Sequence, residues 1–232
     1  MKYVFLSLLA ACTSSPLDPG AGDNAGTGTN TLLVTGDALA TSAVANSTLS
    51  SDFSTAFSIR VALSGADVST GKVAITTAAG STPLTYTTTN AEARWTGQVP
   101  GYDEVYQLDI DVGSDNIHGV IVDGPDIQAF TSPTKGATVD ATLPITATWS
   151  RAAAADTATL DAGDGPGITI DDTGTYSITA GTLKADQDKP RTNTLRLERT
   201  NHVTPAGAAA GSTFTVGVRT ELDVVVAACP SC

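Results

Sequence analysis

Phe57-Ser58-Ile59-Arg60-Val61-Ala62-Leu63 alternates large apolar residues with small or polar ones over seven positions. A period of two places Phe57, Ile59, Val61 and Leu63 on one face of an extended strand and Ser58, Arg60 and Ala62 on the other. That is the pattern of a strand half buried on a core. The alternation recurs outward from this stretch. Val73 and Ile75 follow Gly71-Lys72, and Leu84 and Tyr86 follow the turn Gly80-Ser81-Thr82-Pro83. Tyr106, Leu108, Ile110 and Val112 alternate with Gln107, Asp109 and Asp111. Beyond Thr131-Ser132-Pro133 a second set begins with Ile145, Ala147 and Trp149. It continues through Leu160, Ile168 and Ile170, Tyr176 and Ile178, Leu195 and Leu197, Phe214, Val216 and Val218, and Leu222 to Val226. Turn residues separate the runs, and no stretch sustains a helical period. Short strands at this spacing predict an all-β chain of two tandem antiparallel β-sandwich domains, residues 31–130 and 131–228.

Composition agrees with that reading. Charged residues are 16% and aromatics 5% of 232 residues, and Thr, Ala, Gly and Ser are abundant. Thr-rich, Lys-poor alternation favours sheet over helix. The formal net charge is −12. A surface of that sign repels phosphate backbones, so no nucleic-acid partner is expected. Cys12, Cys229 and Cys232 are the three cysteines. None lies within either predicted sandwich, so disulfides do not staple the fold.

Met1-Lys2 precedes the apolar run Tyr3 to Leu9, followed by Ala10-Ala11-Cys12. A cationic start, a short apolar core and small residues make a secretory signal, and the run is well short of the roughly 20 residues that span a bilayer. Leu9-Ala10-Ala11-Cys12 resembles the lipobox of bacterial lipoproteins. The resemblance implies cleavage after residue 11 and acylation of Cys12. It also implies export to the cell envelope with the membrane as partner through the lipid. Thr13, rather than Asp, after the Cys resembles lipoproteins sent to the outer membrane. Residues 12–30 read as the lipidated Cys and a flexible linker, with Leu17 the one large apolar residue among Gly, Pro, Ser, Thr, Asp and Asn.

In the second half, Thr131-Ser132-Pro133-x-x-Gly136, Ile145 to Ser150, Asp172-Thr173-Gly174-Thr175-Tyr176-Ser177-Ile178, Leu195-Arg196-Leu197 and Gly211-Ser212-Thr213-Phe214 come in one order. This order resembles the Knh-type Ig-like domain of Ser/Thr-rich GPI-anchored cell-wall proteins and bacterial exported proteins. The resemblance covers about residues 126–226 and implies an Ig-like sandwich with no catalytic residues. Asp172-x-Gly174-x-Tyr176 also resembles an immunoglobulin tyrosine corner, with Ile178 where those domains carry their second Cys. The first half is similar to small prealbumin-like sandwiches at Gly71 to Ile75, Trp95-Thr96-Gly97, Gly101-Tyr102 and Tyr106 to Ile110.

Candidate chemistry is sparse. Between Arg94 and Lys135 there is no Lys or Arg, but there are seven acids: Asp103, Glu104, Asp109, Asp111, Asp115, Asp123 and Asp126. Asp109, Asp111 and Asp115 are the candidate metal ligands, since gathered carboxylate oxygens suit Ca²⁺. Otherwise the chain implies no cofactor. Asp161 to Gly165 with Asp171-Asp172 is a second acidic cluster, and Asp-Gly pairs also serve turns. The tail, residues 229–232, holds Cys229-x-x-Cys232. It follows a strand rather than opening a helix, which fits a small terminal disulfide better than a redox dithiol. Lys184, Lys189, Arg191, Arg196 and Arg199 are expected to face solvent on a hairpin with Leu195 and Leu197 inward, or else to meet the acidic edge of the first half. Trp95, Tyr102 and Tyr106 are expected in a core, with stacking on sugar rings as the alternative. Of the two histidines, His118 lies beside the acidic run and His202 has no ligand spacing. These residues favour a lipid-anchored envelope or cell-surface module with a non-enzymatic role, whose protein or glycan partner they do not name. A Ca²⁺-stabilised adhesion or glycan-binding module is the alternative, and a hydrolase built on His118 has the least behind it.

Overall fold

In this computed structural model, which describes residues 17, 20, 22–89, 92–163 and 166–230, eighteen strands assemble into three sheets. The first half carries β1 (Thr27–Gly28), β2 (Leu32–Ser42), β3 (Phe53–Leu63), β4 (Ala66–Asp67), β5 (Lys72–Thr77), β6 (Gly80–Pro83), β7 (Thr85–Thr89), β8 (Glu92–Pro100), β9 (Val105–Val112) and β10 (Asp115–Asp123). The second half carries β11 (Phe130–Ser132), β12 (Thr138–Val139), β13 (Ile145–Trp149), β14 (Thr157–Ala162), β15 (Ile168–Ile170), β16 (Thr175–Ile178), β17 (Arg191–Val203) and β18 (Thr213–Val226). The stretch Phe57 to Leu63 forms the C-terminal part of β3. Phe57, Ile59 and Val61 are buried as the alternation requires.

The fold is all-β, as the sequence predicts. One sheet runs β15-β14-β17-β18-β2-β3-β8-β7, with β12 on β18 and β4 on β3. A five-stranded sheet, β1-β10-β9-β5-β6, faces one end of it, and a three-stranded sheet, β11-β13-β16, faces the other. Pairing is antiparallel except where β18 runs parallel to β2 and to β12.

Two apolar clusters result, but the boundary at residue 130 does not divide them. Phe214, Val216 and Val218 at the start of β18 belong to the first cluster with Phe57, Tyr106 and Ile110. Leu222, Val224 and Val226 at its end belong to the second with Trp149 and Leu197. Periodicity is local: it finds the strand but not the neighbour the strand takes. β18 takes three neighbours in turn on its second side. β2 pairs with Thr213 to Arg219. Asn46 N then donates to Glu221 O and Gly136 N to Asp223 O, and β12 pairs with Val225 and Val226.

The linker predicted through Asn30 also ends earlier. Asn24 and Ile121 exchange backbone hydrogen bonds of 2.9 and 2.8 Å, and Thr27 and Gly28 pair with His118 and Ile117 on β10. Backbone pairing to an edge strand needs no particular side chains, so composition does not reveal it. On the other side of this segment Ala206 N donates to Ala25 O, and the backbones of Gly28 and Gly207 come so close that a Cβ on Gly207 would overlap Gly28. Gly207 also has φ 74°, which disfavours any other residue.

The shared hairpin makes a folding prediction. Phe214→Ala should cost about 3–5 kcal/mol and Leu222→Ala about 2–5 kcal/mol. Either should lower the midpoint of one unfolding transition sensed equally by Trp95 in the first lobe and Trp149 in the second. Two transitions, each moved by only one substitution, would show lobes that unfold separately.

Candidate functional site

The inward face of the β17–β18 hairpin is apolar at both ends and polar in the middle. On β18 the inward residues are Phe214, Val216, Val218, then Thr220, then Leu222, Val224 and Val226. On β17 they include Leu195 and Leu197, then Arg199. Arg199 and Thr220 are both fully buried. They form a polar layer between the two cores, and the connector from β10 to β11 crosses it.

Arg199 is expected on a solvent-facing hairpin or against the acidic edge of the first half, and it lies buried at the centre of this waist. Its place follows from parity, two residues after Leu197 in the same inward phase. A buried guanidinium needs a partner for its charge and for its donors. Nε donates to Asp172 Oδ2 at 2.9 Å. Nη1 donates to the carbonyl and to Oδ1 of Asp126 at 2.9 and 3.2 Å, and Nη2 donates to Ala153 O. Asp172 is held in turn by Trp149 Nε1 at 3.0 Å and by Ala155 N at 2.8 Å. Burial pushes the Asp172 carboxyl up, but the hydrogen bonds from Ala155, Trp149 and Arg199, with the guanidinium charge, outweigh it and leave it below the ordinary range. Asp126 belongs to the acidic run, so one of the five clustered cations does meet that edge. Arg196 instead pairs with Glu221 and Asp161, and Arg191 lies 3.9 Å from Asp186.

Gln128 completes the layer. Nε2 donates to Leu197 O and Val218 O at 3.0 and 3.1 Å, and the Gln128 backbone carbonyl accepts from Thr220 Oγ1 at 3.0 Å. Its Oε1 finds no hydrogen-bond donor among the described residues. Beside the layer, a cleft of about 400 Å³ opens among Asp23, Glu104, Asp123, Asp126 and Ala152. Burial first, then the charges of Asp123 and Asp126, push the Glu104 carboxyl up. A wider groove of about 760 Å³ lies between the start of β14 and the β15–β16 corner, lined by Asp156, Asp171, Thr175 and Tyr176.

The proposed metal ligands do not gather. Asp109 and Asp111 share the outer face of β9, but Asp115 pairs opposite Val112 and so takes the other face of the hairpin. Thr31 Oγ1 donates to Asp115 at 2.5 Å, and Lys72 sits cross-strand from Asp111. No group of three His, Cys, Asp or Glu among the described residues is placed to hold a metal ion. In the second acidic cluster, Asp161 and Asp172 already face guanidinium groups, and Asp164 and Gly165 lie outside the described residues.

His118 sits on a bulge in β10, half exposed, with Nε2 3.2 Å from Asp111 and Nδ1 3.6 Å from Asp109. His202 Nδ1 lies 3.0 Å from Asp156. Among the described residues no hydrogen bond joins either ring to a hydroxyl, the contact a nucleophile would need. Trp95, Tyr102 and Tyr106 are buried, not a sugar platform. Trp95 Nε1 donates to Val68 O and Tyr102 Oη to Pro125 O, and burial pushes the Tyr106 phenol up to about 12. Cys229 is disulfide-bonded and its N donates to Asp186 O, while Cys12 and Cys232 lie outside the described residues.

No family model matches this chain, and no curated protein matches it either.

The waist yields a charge-balance prediction. Asp172→Asn leaves a buried cation with less than its counter-charge and should cost about 3–5 kcal/mol, whereas adding Arg199→Met should restore most of that. Because the folded carboxyl is depressed, its contribution is complete above the unfolded value near 3.9 and disappears as pH falls through the folded one. Urea midpoints should therefore converge for parent and Asp172→Asn proteins as pH falls from neutral through the acid range in which the folded carboxyl protonates. A gap that stays constant from neutral pH through acid unfolding would count against the pairing.

Proposed function

We propose that this chain is a lipid-anchored protein of the bacterial cell envelope or surface, with a binding or structural role and no catalytic one. The observation that carries the reading is the use made of its buried polar groups. Arg199, Asp172, Asp126 and Gln128 point at each other and at backbone groups of both lobes, so the charged groups best shielded from water act as a joint. A catalytic site would present such groups to a substrate. Location comes from the lipobox-like Leu9 to Cys12, and two or three acyl chains on one residue suffice for stable anchoring. A body of two sheets packed on one long sheet offers faces and loops for a partner. A Ca²⁺-stabilised module is the weaker reading, because the pleat separates Asp115 from Asp109 and Asp111.

In a bacterial host, Cys12→Ser should move the protein from the membrane to the soluble fraction. Unchanged membrane attachment would overturn the anchor. The melting temperature of the purified protein should stay within a degree on addition of millimolar Ca²⁺ or of chelator. A rise of several degrees with Ca²⁺ would favour the adhesion-type reading instead.

A further inference from the structure

We infer that the anchor holds this protein by its waist, with the β1 edge of the first lobe turned to the bilayer and both tips free. The inference rests on the lipidation of Cys12 proposed above and adds an orientation to it. The described chain before β2 does not hang from the body. Going backward from Gly28, it pairs with Ile117 and His118, bridges Ile121 through Asn24, and reaches Asp123 at the waist end of β10. There Asp123 N donates to Asp23 Oδ1 and Gly20 N donates to Asp123 Oδ2, both at 2.8 Å. Gly20 and Asp23 line the waist cleft, opposite Ala152 to Ala154 of the second lobe.

Chain length then decides the orientation. Seven residues lie between Cys12 and Gly20, and the eight Cα-to-Cα steps reach at most about 26–29 Å when fully extended. The first-lobe tip lies about 26 Å from Asp123 along β10, and the second-lobe tip about 23 Å from the waist along β18. Standing the molecule on either tip would stretch the connection toward its limit. The first tip would also require the chain to reverse, since residues 28 to 20 run away from it. Lying on the β1 edge needs no stretch. The exit is ringed by Asp23, Glu104, Asp123 and Asp126, so a zwitterionic surface suits this edge better than an anionic one, whose repulsion reaches about 8 Å at physiological salt.

The test uses the full acylated chain in nanodiscs of zwitterionic lipid carrying a headgroup acceptor dye. A donor fluorophore is introduced as a non-natural residue at one of three exposed positions. These are Ala152 at the waist, Ser114 at the first tip and Leu143 at the second. Energy transfer should be highest from Ala152 and lower from both tips. Transfer highest from a tip, or equal from all three, would overturn the orientation. Asp23→Ala with Asp123→Ala removes both side-chain acceptors, frees residues 20–23 and lengthens the connection, so transfer from Ala152 should fall, and an unchanged value would also count against it. If Cys12→Ser protein still co-purifies with nanodiscs, the anchor itself is wrong, a failure separate from that of the orientation.

Discussion

A guanidinium with no exposed surface sits in the middle of the longest strand pair of this molecule. The surrounding chain is arranged to satisfy it. The β17–β18 ladder runs without a break from Arg191 opposite Val226 to Val203 opposite Phe214. A pair that long serves two cores, and where it passes from one to the other the inward positions are Arg199 and Thr220. An apolar residue at those positions would fuse the cores only if another layer covered it. Instead the connector at Asp126 to Gln128 crosses there, and its backbone groups need donors and acceptors. Arg199 donates to the Asp126 carbonyl, Thr220 to that of Gln128, and the Gln128 amide to two strand carbonyls. The polar layer is thus a consequence of running a connector through the interior. Its Asp172 arm then fixes Trp149 in the second core.

The same logic explains how the rest of the sheet is closed. β18 has a partner on both sides along its whole length, although three separate segments supply the second side. The first sandwich is shut on one side by the continuous run of β6 and β7, which passes from the five-stranded sheet to the long one through Leu84. On the other side it is shut by residues 24–30, held between β10 and the turn before β18. The closure depends on the close approach of Gly28 and Gly207, where backbone meets backbone with no room for a side chain.

Much of this was legible in the sequence, and what was not has physical causes. Alternation identified β3, β9 and the paired inward residues of β17 and β18 and placed Tyr106 and Trp149 inside, and aromatic size placed Trp95 there. It could not assign β18 to two cores, because pairing across 170 or more residues leaves no local trace. Nor could composition show that Asn24 to Gly28 pair with β10, since edge pairing uses the backbone alone. Arg199 meets the acidic edge, one of two expectations for its cluster, but it does so from the interior, as its phase two residues beyond Leu197 requires. Asp172 stood in a recognised corner motif, but its partner could be found only in three dimensions. The Asp109, Asp111 and Asp115 reading failed to form one group for a simpler reason: the tight β9–β10 turn sets Asp115 opposite Val112 and so reverses its face.

Strand lengths and surface charge show what kind of contact this body can make. The central strands have 11 to 14 residues. The strands at sheet edges, β1, β6, β7, β11, β15 and β16, have only two to five. Short edges give a neighbouring chain little backbone to add to, which guards the protein against edge-to-edge association. The outer face of the long sheet is tied by Arg196 to Glu221 and Asp161 and by Arg219 to Glu198. Such part-exposed pairs contribute only about 0–1 kcal/mol each, so their value lies in a polar, mixed-sign face rather than in stability. A partner therefore meets side chains on broad sheet faces and in the loops at the tips, and not an open strand. That suits a body whose interior polarity is already committed to holding its own two cores together.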